Sequence, residues 1–281
     1  IDTRSSCSVA AFVADELGLD ALPLAVEAAC ASSLAALDVA FRSLRLSRTD
    51  YVLVCGVEFP TGIRDLVLCS ALGMLSRSTA MTPFSEAADG FLPGDGAGAV
   101  LLLPDYETEN GVRVLGVGGS CDARSMLAPD ANGQRVAMEM ALAEAGVEAV
   151  SIGYVEAHGT GTVRGDAVEL ESMTAAYGIN GAYGINGLCI GSVKSSIGHT
   201  FSAAGLAGFL RVEAAVREGT VPRTPGLTEK DRRRLQGRGF HVPSGTEFLP
   251  VSGEGIGRAA VSAFGTGGIN YHVIVEEGGK K

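Results

Sequence analysis

The residues best suited to covalent chemistry fall in four short stretches of the chain. Cys30 lies in E-A-A-C-A-S-S, where an apolar run gives way to helical spacing. A cysteine at a helix start meets free amide donors and the positive end of the helix dipole, which favour the thiolate. Its own N–H is free to stabilise an oxyanion. His158 lies in E-A-H-G-T-G-T, where glycines let the backbone approach a ligand and Thr160 and Thr162 offer hydroxyls to a polar cofactor arm. Lys194 and His199 stand five residues apart in G-S-V-K-S-S-I-G-H-T. An ammonium beside an imidazole disfavours protonation, leaving a neutral ring that can donate a hydrogen bond to a thioester carbonyl. The fourth stretch, S-A-F-G-T-G-G-I-N-Y-H at 262–272, is a turn whose Gly265 and Gly267 can expose N–H groups to a reacting carbonyl. Taken singly, each stretch has an ordinary structural reading: a small buried thiol, a strand-end histidine, a surface lysine, a tight turn. His272 reads as support for its strand.

Elements must bring these stretches together. Residues 21–29, ALPLAVEAA, read as a short buried strand leading into Cys30. Leu34, Leu37, Phe41 and Leu44 then recur at spacings of 3 and 4, which predicts a helix with Asp38 and Arg42 as an exposed pair. Strands are expected at 51–59 and 97–103. The order then repeats, with strand 112–119, helix 132–145, strand 152–157, helix 166–177, strand 188–192, a small-residue helix over 199–218, and closing strands 259–264 and 271–276. Such alternation implies mainly parallel sheets covered by helices on both faces. Strand, Cys30 and helix in the first half match strand, loop, His199 and helix in the second. A duplicated α/β unit follows, with halves 1–110 and 111–281 and the site between them. The tandem hexamer AYGINGAYGING at 176–187 reads as a duplicated surface turn, and residues 222–257 show no clear periodicity.

Composition narrows the function. With 281 residues, 46% hydrophobic and only 19% charged, the chain is globular and not disordered. A net charge of −10 argues against a general nucleic-acid binder. Local basic clusters exist at Arg42, Arg45 and Arg48 and between Lys230 and Arg238. Six cysteines without CxxC or Cys/His spacing read as free thiols in a reducing cytoplasm, with no metal site. No apolar run approaches the roughly 18 residues a membrane span needs. GDGAGA lacks the Walker lysine and the GxGxxG spacing, and no HExxH or GxSxG occurs.

In this order, and joined by PFSEAADGFLPGDGAG, the four motifs resemble the β-ketoacyl synthases of fatty-acid and polyketide assembly over roughly residues 20–277. EAHGTGT and the joining segment look more like the polyketide type. The resemblance implies a thiolase-like fold, a five-layered αβαβα arrangement of two similar halves. It implies that Cys30 takes an acyl group, and that His158 and His199 support decarboxylation of a malonyl-type extender with Lys194 fixing the local electrostatics. The N–H groups of Cys30 and Thr266 would form the oxyanion hole. No bound cofactor or metal is implied; phosphopantetheine on an acyl carrier protein delivers the substrates, and a homodimer is expected. The basic cluster at Arg42, Arg45 and Arg48 is a candidate docking site for the acidic carrier.

Several residues depart from the family pattern. Thr266 stands where a gating phenylalanine is usual, Ser196 where asparagine is common, and Ile269 and Tyr271 where smaller residues flank the turn asparagine, Asn270. Only 29 residues precede Cys30, so a companion chain or a missing N-terminal segment is expected to complete the first half. A non-catalytic partner protein of the chain-length-factor type is the alternative function, against which Cys30 counts. A thiolase would need a later cysteine, and none follows Cys189.

Overall fold

The computed structural model describes residues 6–60, 62–105, 111–122, 124–179, 183, 187–251 and 255–278. In chain order the elements are α1 (Ser6–Glu16), α2 (Ser32–Arg45), β1 (Val52–Glu58), α3 (Ile63–Ala71), β2 (Gly96–Leu102) and β3 (Val112–Cys121). They continue with α4 (Ala131–Ala145), β4 (Tyr154–Glu156), α5 (Val163–Ala176), β5 (Leu188–Gly191), α6 (Lys194–Ile197), α7 (Ala204–Glu218) and β6 (Thr220–Val221). The last are α8 (Glu229–Gln236), β7 (Phe240–His241), β8 (Glu247–Phe248), β9 (Arg258–Gly265) and β10 (Ile269–Glu277).

A six-stranded sheet in the order β3-β10-β9-β4-β5-β7 forms the centre. It is mixed. β4, β5, β7 and β9 run parallel, whereas β10 is antiparallel to both β3 and β9. The expectation of mainly parallel sheets is corrected here, because the closing strands are joined by the tight turn at 266–268, which only an antiparallel pair allows. β1 and β2 make a separate antiparallel pair in which Cys55 lies opposite Ala99.

Helices separate these sheets. α4 packs on β3, β10 and α5, on one face of the large sheet. On the other face α2 and α7 lie against each other, against β10, and against β1 and β2. One apolar core fills the space between the sheet and α2/α7, with Leu34, Leu37, Leu206, Val212, Val261 and Val273. A second, with Met138, Leu170, Met173, Ile190 and Ile274, lies beneath α4 and α5. Among the described residues these contacts give the succession helix, sheet, helix pair, sheet. On the far side of β1–β2, Cys55, Val57, Ala97, Ala99 and Leu101 are exposed.

Three other readings change. Residues 21–28 form no strand; the backbone reaches Ala29 without regular structure, and a strand exists only where a neighbour accepts its ladder. The helix expected over 199–218 starts at Ala204, after a 3₁₀ turn at Phe201–Ala203. Residues 222–257 contain α8, announced by a T-E-K-D capping box: Thr228 caps the Asp231 N–H and Asp231 returns to the Thr228 N–H. The hexamer repeat lies partly outside the described residues. Within the described part, Tyr177 is buried against His272 and the Tyr183 hydroxyl donates to the Ala149 carbonyl at 2.5 Å.

The α2–α7 contact is the seam between the segment that carries Cys30 and the one that carries His199. Ser33 Oγ accepts the Leu206 N–H at 2.9 Å, satisfying a free donor at the start of α7. A Cβ on Gly205 would stand 2.6 Å from Leu34 Cγ and 3.0 Å from Ser33 Oγ. Gly205→Ala is therefore expected to destabilise the protein by about 1–3 kcal/mol through overpacking. An unchanged midpoint in urea denaturation would contradict this account of the seam.

Candidate active site

Cys30 sits in a 3₁₀ turn (Ala29–Ala31) that runs directly into α2. Ala29 has φ +49°, a left-handed conformation that costs a residue with a Cβ about 1–3 kcal/mol. The two serines after Cys30 hold this elbow in place. Ser32 Oγ accepts the Ala28 N–H at 2.8 Å and donates to the Ala29 carbonyl at 2.7 Å, while Ser33 ties the elbow to α7. Opposite, Gly265 at the end of β9 comes so close to the Ala28 carbonyl that any Cβ would clash. That approach brings the Thr266 N–H onto the Cys30 sulfur.

Burial pushes the Cys30 pKa up to about 11, offset only in part by Lys194 and by the amides of Thr266 and Cys30 itself. This corrects the expectation that the helix start would favour a thiolate: desolvation outweighs the nearby donors.

His158 follows β4, and His199 sits between α6 and the 3₁₀ turn that opens α7. Their rings meet edge to face with centroids 5.5 Å apart. Both are buried, and burial first and Lys194 second hold both pKa values well below the ordinary imidazole range. Both shifts favour the neutral rings near neutral pH. The Nδ1 atoms of both are buried without a hydrogen-bond partner among the described residues.

Lys194 is 3% exposed and donates from Nζ to the His158 carbonyl at 2.6 Å. Burial lowers its pKa, opposed by Glu156, Glu169, Cys30 and Asp166. Three of these are buried carboxylates that sequence reading did not single out. Glu169 on α5 accepts the N–H groups of His158 at 2.6 Å and Gly159 at 2.8 Å. Asp166, one turn earlier, accepts those of Phe84 at 2.6 Å and Gly161 at 3.0 Å. Burial raises both carboxyls to about 7. Glu156 accepts the Val193 N–H and the Tyr154 hydroxyl, each at 2.5 Å, and faces Arg211 at 3.4 Å. A usable signal existed: Asp166 and Glu169 share the helix face of Leu170 and Met173, where an acid is expensive unless it has a task.

Cys30, His158, Thr160, Thr162, His199, Gly265, Thr266 and Gly267 all line one open cavity of about 2030 Å³. Thr162 also caps α5, accepting the Gly165 N–H at 3.2 Å, and its hydroxyl meets that of Thr160 at 3.1 Å. His272 is fully buried between Tyr177 and Ser262, at 2.6 and 2.8 Å, and supports β10.

The basic cluster proves to be engaged. Arg42 binds Asp38 and Glu144, and Arg45 binds Glu144, joining α2 to α4. Both arginine side chains remain about half exposed. Between Lys230 and Arg238, Lys230 and Arg234 hold Glu86 and Arg232 reaches the Thr224 carbonyl. Among the described residues no cluster of potential metal ligands occurs and no helix is long and apolar enough to cross a membrane. Cys30, Cys55, Cys69, Cys121 and Cys189 are free thiols; the side chain of Cys7 lies outside the described residues.

Comparison with known proteins agrees with this geometry. The family model for the β-ketoacyl synthase N-terminal domain matches residues 1–108, and that for the C-terminal domain matches residues 112–228. One of the phenolphthiocerol/phthiocerol polyketide synthase polypeptides of Mycobacterium tuberculosis is 40% identical over 276 residues, which is 93% of this chain and 17% of that protein. The phthioceranic/hydroxyphthioceranic acid synthase of Mycobacterium bovis is 37% identical, over 94% of this chain and 13% of its own length. Among solved structures, the oxazolomycin ketosynthase domain OzmH KS7 of Streptomyces albus superposes with a TM-score of 0.89 at 32% identity, covering 99% of this chain and 50% of that one. The ketosynthase from module 6 of the bacillaene synthase of Bacillus subtilis gives 0.88 at 31% identity, again over 50% of its length. The chain thus spans half of the solved ketosynthases and under a fifth of the curated relatives. Its α/β architecture is that of the thiolase-like ketosynthases, and the chain belongs to the β-ketoacyl synthase family.

Proposed function

We propose that the chain carries the condensing site of a polyketide-type β-ketoacyl synthase. The supporting observation is the pair of buried, neutral imidazoles of His158 and His199 on the wall of the cavity that Cys30 and the Thr266 amide also line.

In this reading an acyl carrier protein presents its phosphopantetheine arm to the cavity. The Cys30 sulfur attacks the acyl thioester, and the thiol proton passes to the departing pantetheine thiolate. The N–H groups of Cys30 and Thr266 receive the developing oxyanion. A malonyl-type thioester then enters. Its carboxylate leaves as carbon dioxide, and the remaining electron pair forms an enolate whose oxygen accepts hydrogen bonds from the two neutral imidazoles. The enolate carbon attacks the Cys30 thioester. The C–S bond breaks, and the β-ketoacyl group stays on the carrier while Cys30 regains a proton. Holding the electrophile beside the enolate makes the carbon–carbon bond formation effectively intramolecular. No bound metal or cofactor enters this scheme. Homodimerisation, a cytoplasmic setting and halves at 1–110 and 111–281 belong to the same proposal. A non-catalytic partner protein is the second reading; a formed elbow with Cys30 at its tip is hard to reconcile with it.

The two imidazoles are assigned to the second step, so the half-reactions should separate. Cys30→Ala is expected to abolish acyl-adduct formation. His158→Ala or His199→Ala should leave the adduct intact while lowering decarboxylation by about 10²–10³-fold. Intact-mass analysis combined with product formation reads both, and loss of the adduct in the histidine variants would refute the division of labour.

The protonated resting thiol has its own signature. With a pKa of about 11, alkylation of Cys30 by iodoacetamide should climb steadily from pH 7 to pH 10 with no plateau. Lys194→Met, which removes a charge favouring the thiolate, should slow the reaction at every pH. A plateau below pH 9 in the wild type would show a thiolate already formed at rest.

A further inference from the structure

We propose that Phe201 is a positioning residue that sets the plane of the His199 imidazole by face-to-face stacking, a role that rests on the condensing reading above. The backbone of His199 is pinned on both sides: its N–H donates to the Leu92 carbonyl at 2.7 Å and its carbonyl accepts the Gly94 N–H at 2.9 Å. The ring has no such anchor. Its Nδ1 is buried and without a hydrogen-bond partner among the described residues, whereas a working imidazole is usually oriented through its second nitrogen.

Aromatic packing takes over that task. The Phe201 ring lies 4.9 Å from the His199 ring and only 9° from parallel. Phe91 stands edge-on to both, at 5.1 Å and 89° to His199 and at 5.5 Å and 86° to Phe201. His158 closes a further side edge-on at 5.5 Å. Rotation of the imidazole about its Cβ–Cγ bond would drive its edge into the Phe201 face, so the stack restricts the ring to one plane. Phe201 holds this position at φ +40°, a region that bulky side chains rarely occupy. Such strain persists where the surroundings enforce it, commonly at functional sites. Any apolar side chain could fill the volume; only a flat one can fix a plane.

The test compares the Phe201→Leu and Phe201→Tyr variants with the wild-type protein. Two rates are read separately: acylation of Cys30 from an acyl thioester, and β-ketoacyl formation from a malonyl carrier thioester. Phe201→Leu should lower the second rate at least about 10-fold and leave the first within about 2-fold, the pattern of a misaligned ring in a formed site. Phe201→Tyr keeps the flat face and should stay within about 3-fold of wild type in both. Should Phe201→Leu fail to fold, judged by its melting curve, Phe201→Met carries the same expectation. The proposal is overturned if both rates fall together, if Leu and Met act like wild type, or if Tyr is as slow as Leu. A wild type that acylates but forms no β-ketoacyl product would remove the condensing reading itself, an outcome distinct from an active wild type with indifferent variants.

Discussion

A lysine ammonium buried to 3% exposure dictates much of what surrounds it. An isolated charge at that depth is untenable, so it must be compensated by hydrogen bonds and counter-charges. Lys194 has the His158 carbonyl as acceptor, and Glu156, Asp166 and Glu169 supply the field. Those carboxylates must in turn be satisfied, and they are, by the amides of Phe84, His158, Gly159, Gly161 and Val193. The loop after β4 and the turn into α6 thus take their shape from one network. Its positive charge adds to burial in favouring the neutral form of both imidazoles, so the same group shapes the histidine loops and contributes to their protonation state.

Cys30 belongs to the opposite side of the seam, and close approach places it. The α2–α7 contact at Gly205 and the passage of Gly265 over the Ala28 carbonyl leave the elbow one position. Desolvation is the consequence of that fit, and it explains why the thiol is protonated at rest. A thiol held in its neutral form is protected from solvent electrophiles and oxidants, since the thiolate is the reactive form.

How legible this was in the sequence depended on whether a feature is local. The helix after Cys30, the strand–helix alternation and the four motifs declare themselves through spacing, and the structure brings all four to one cavity. The capping box of α8 was local too and could have been read at Thr228 and Asp231. Strand direction was not, because whether β10 runs against β3 depends on partners about 150 residues away. The antiparallel β9–β10 pair, by contrast, could have been inferred from its short turn. The protonation of Cys30 escaped because local donors were visible while burial, which wins, is a property of the whole packing. The ion pairs of Arg42 and Arg45 were hidden for the same reason: Glu144 is remote in sequence and adjacent in space.

The segment PFSEAADGFLPGDG, between α3 and β2, touches both histidine loops with its backbone. Phe84 is held by Asp166 and Arg234, Gly90 donates to the Gly161 carbonyl at 2.9 Å, and Leu92 and Gly94 bracket His199. A hinge that opened the two halves would have to break these bonds together, along with the seam at Ser33. A motion that parted these contacts is therefore a costly way to open the cavity. In the condensing reading proposed above, the moving part is the guest: a long flexible arm that threads into a site already assembled, losing its own conformational freedom rather than asking the host to rearrange.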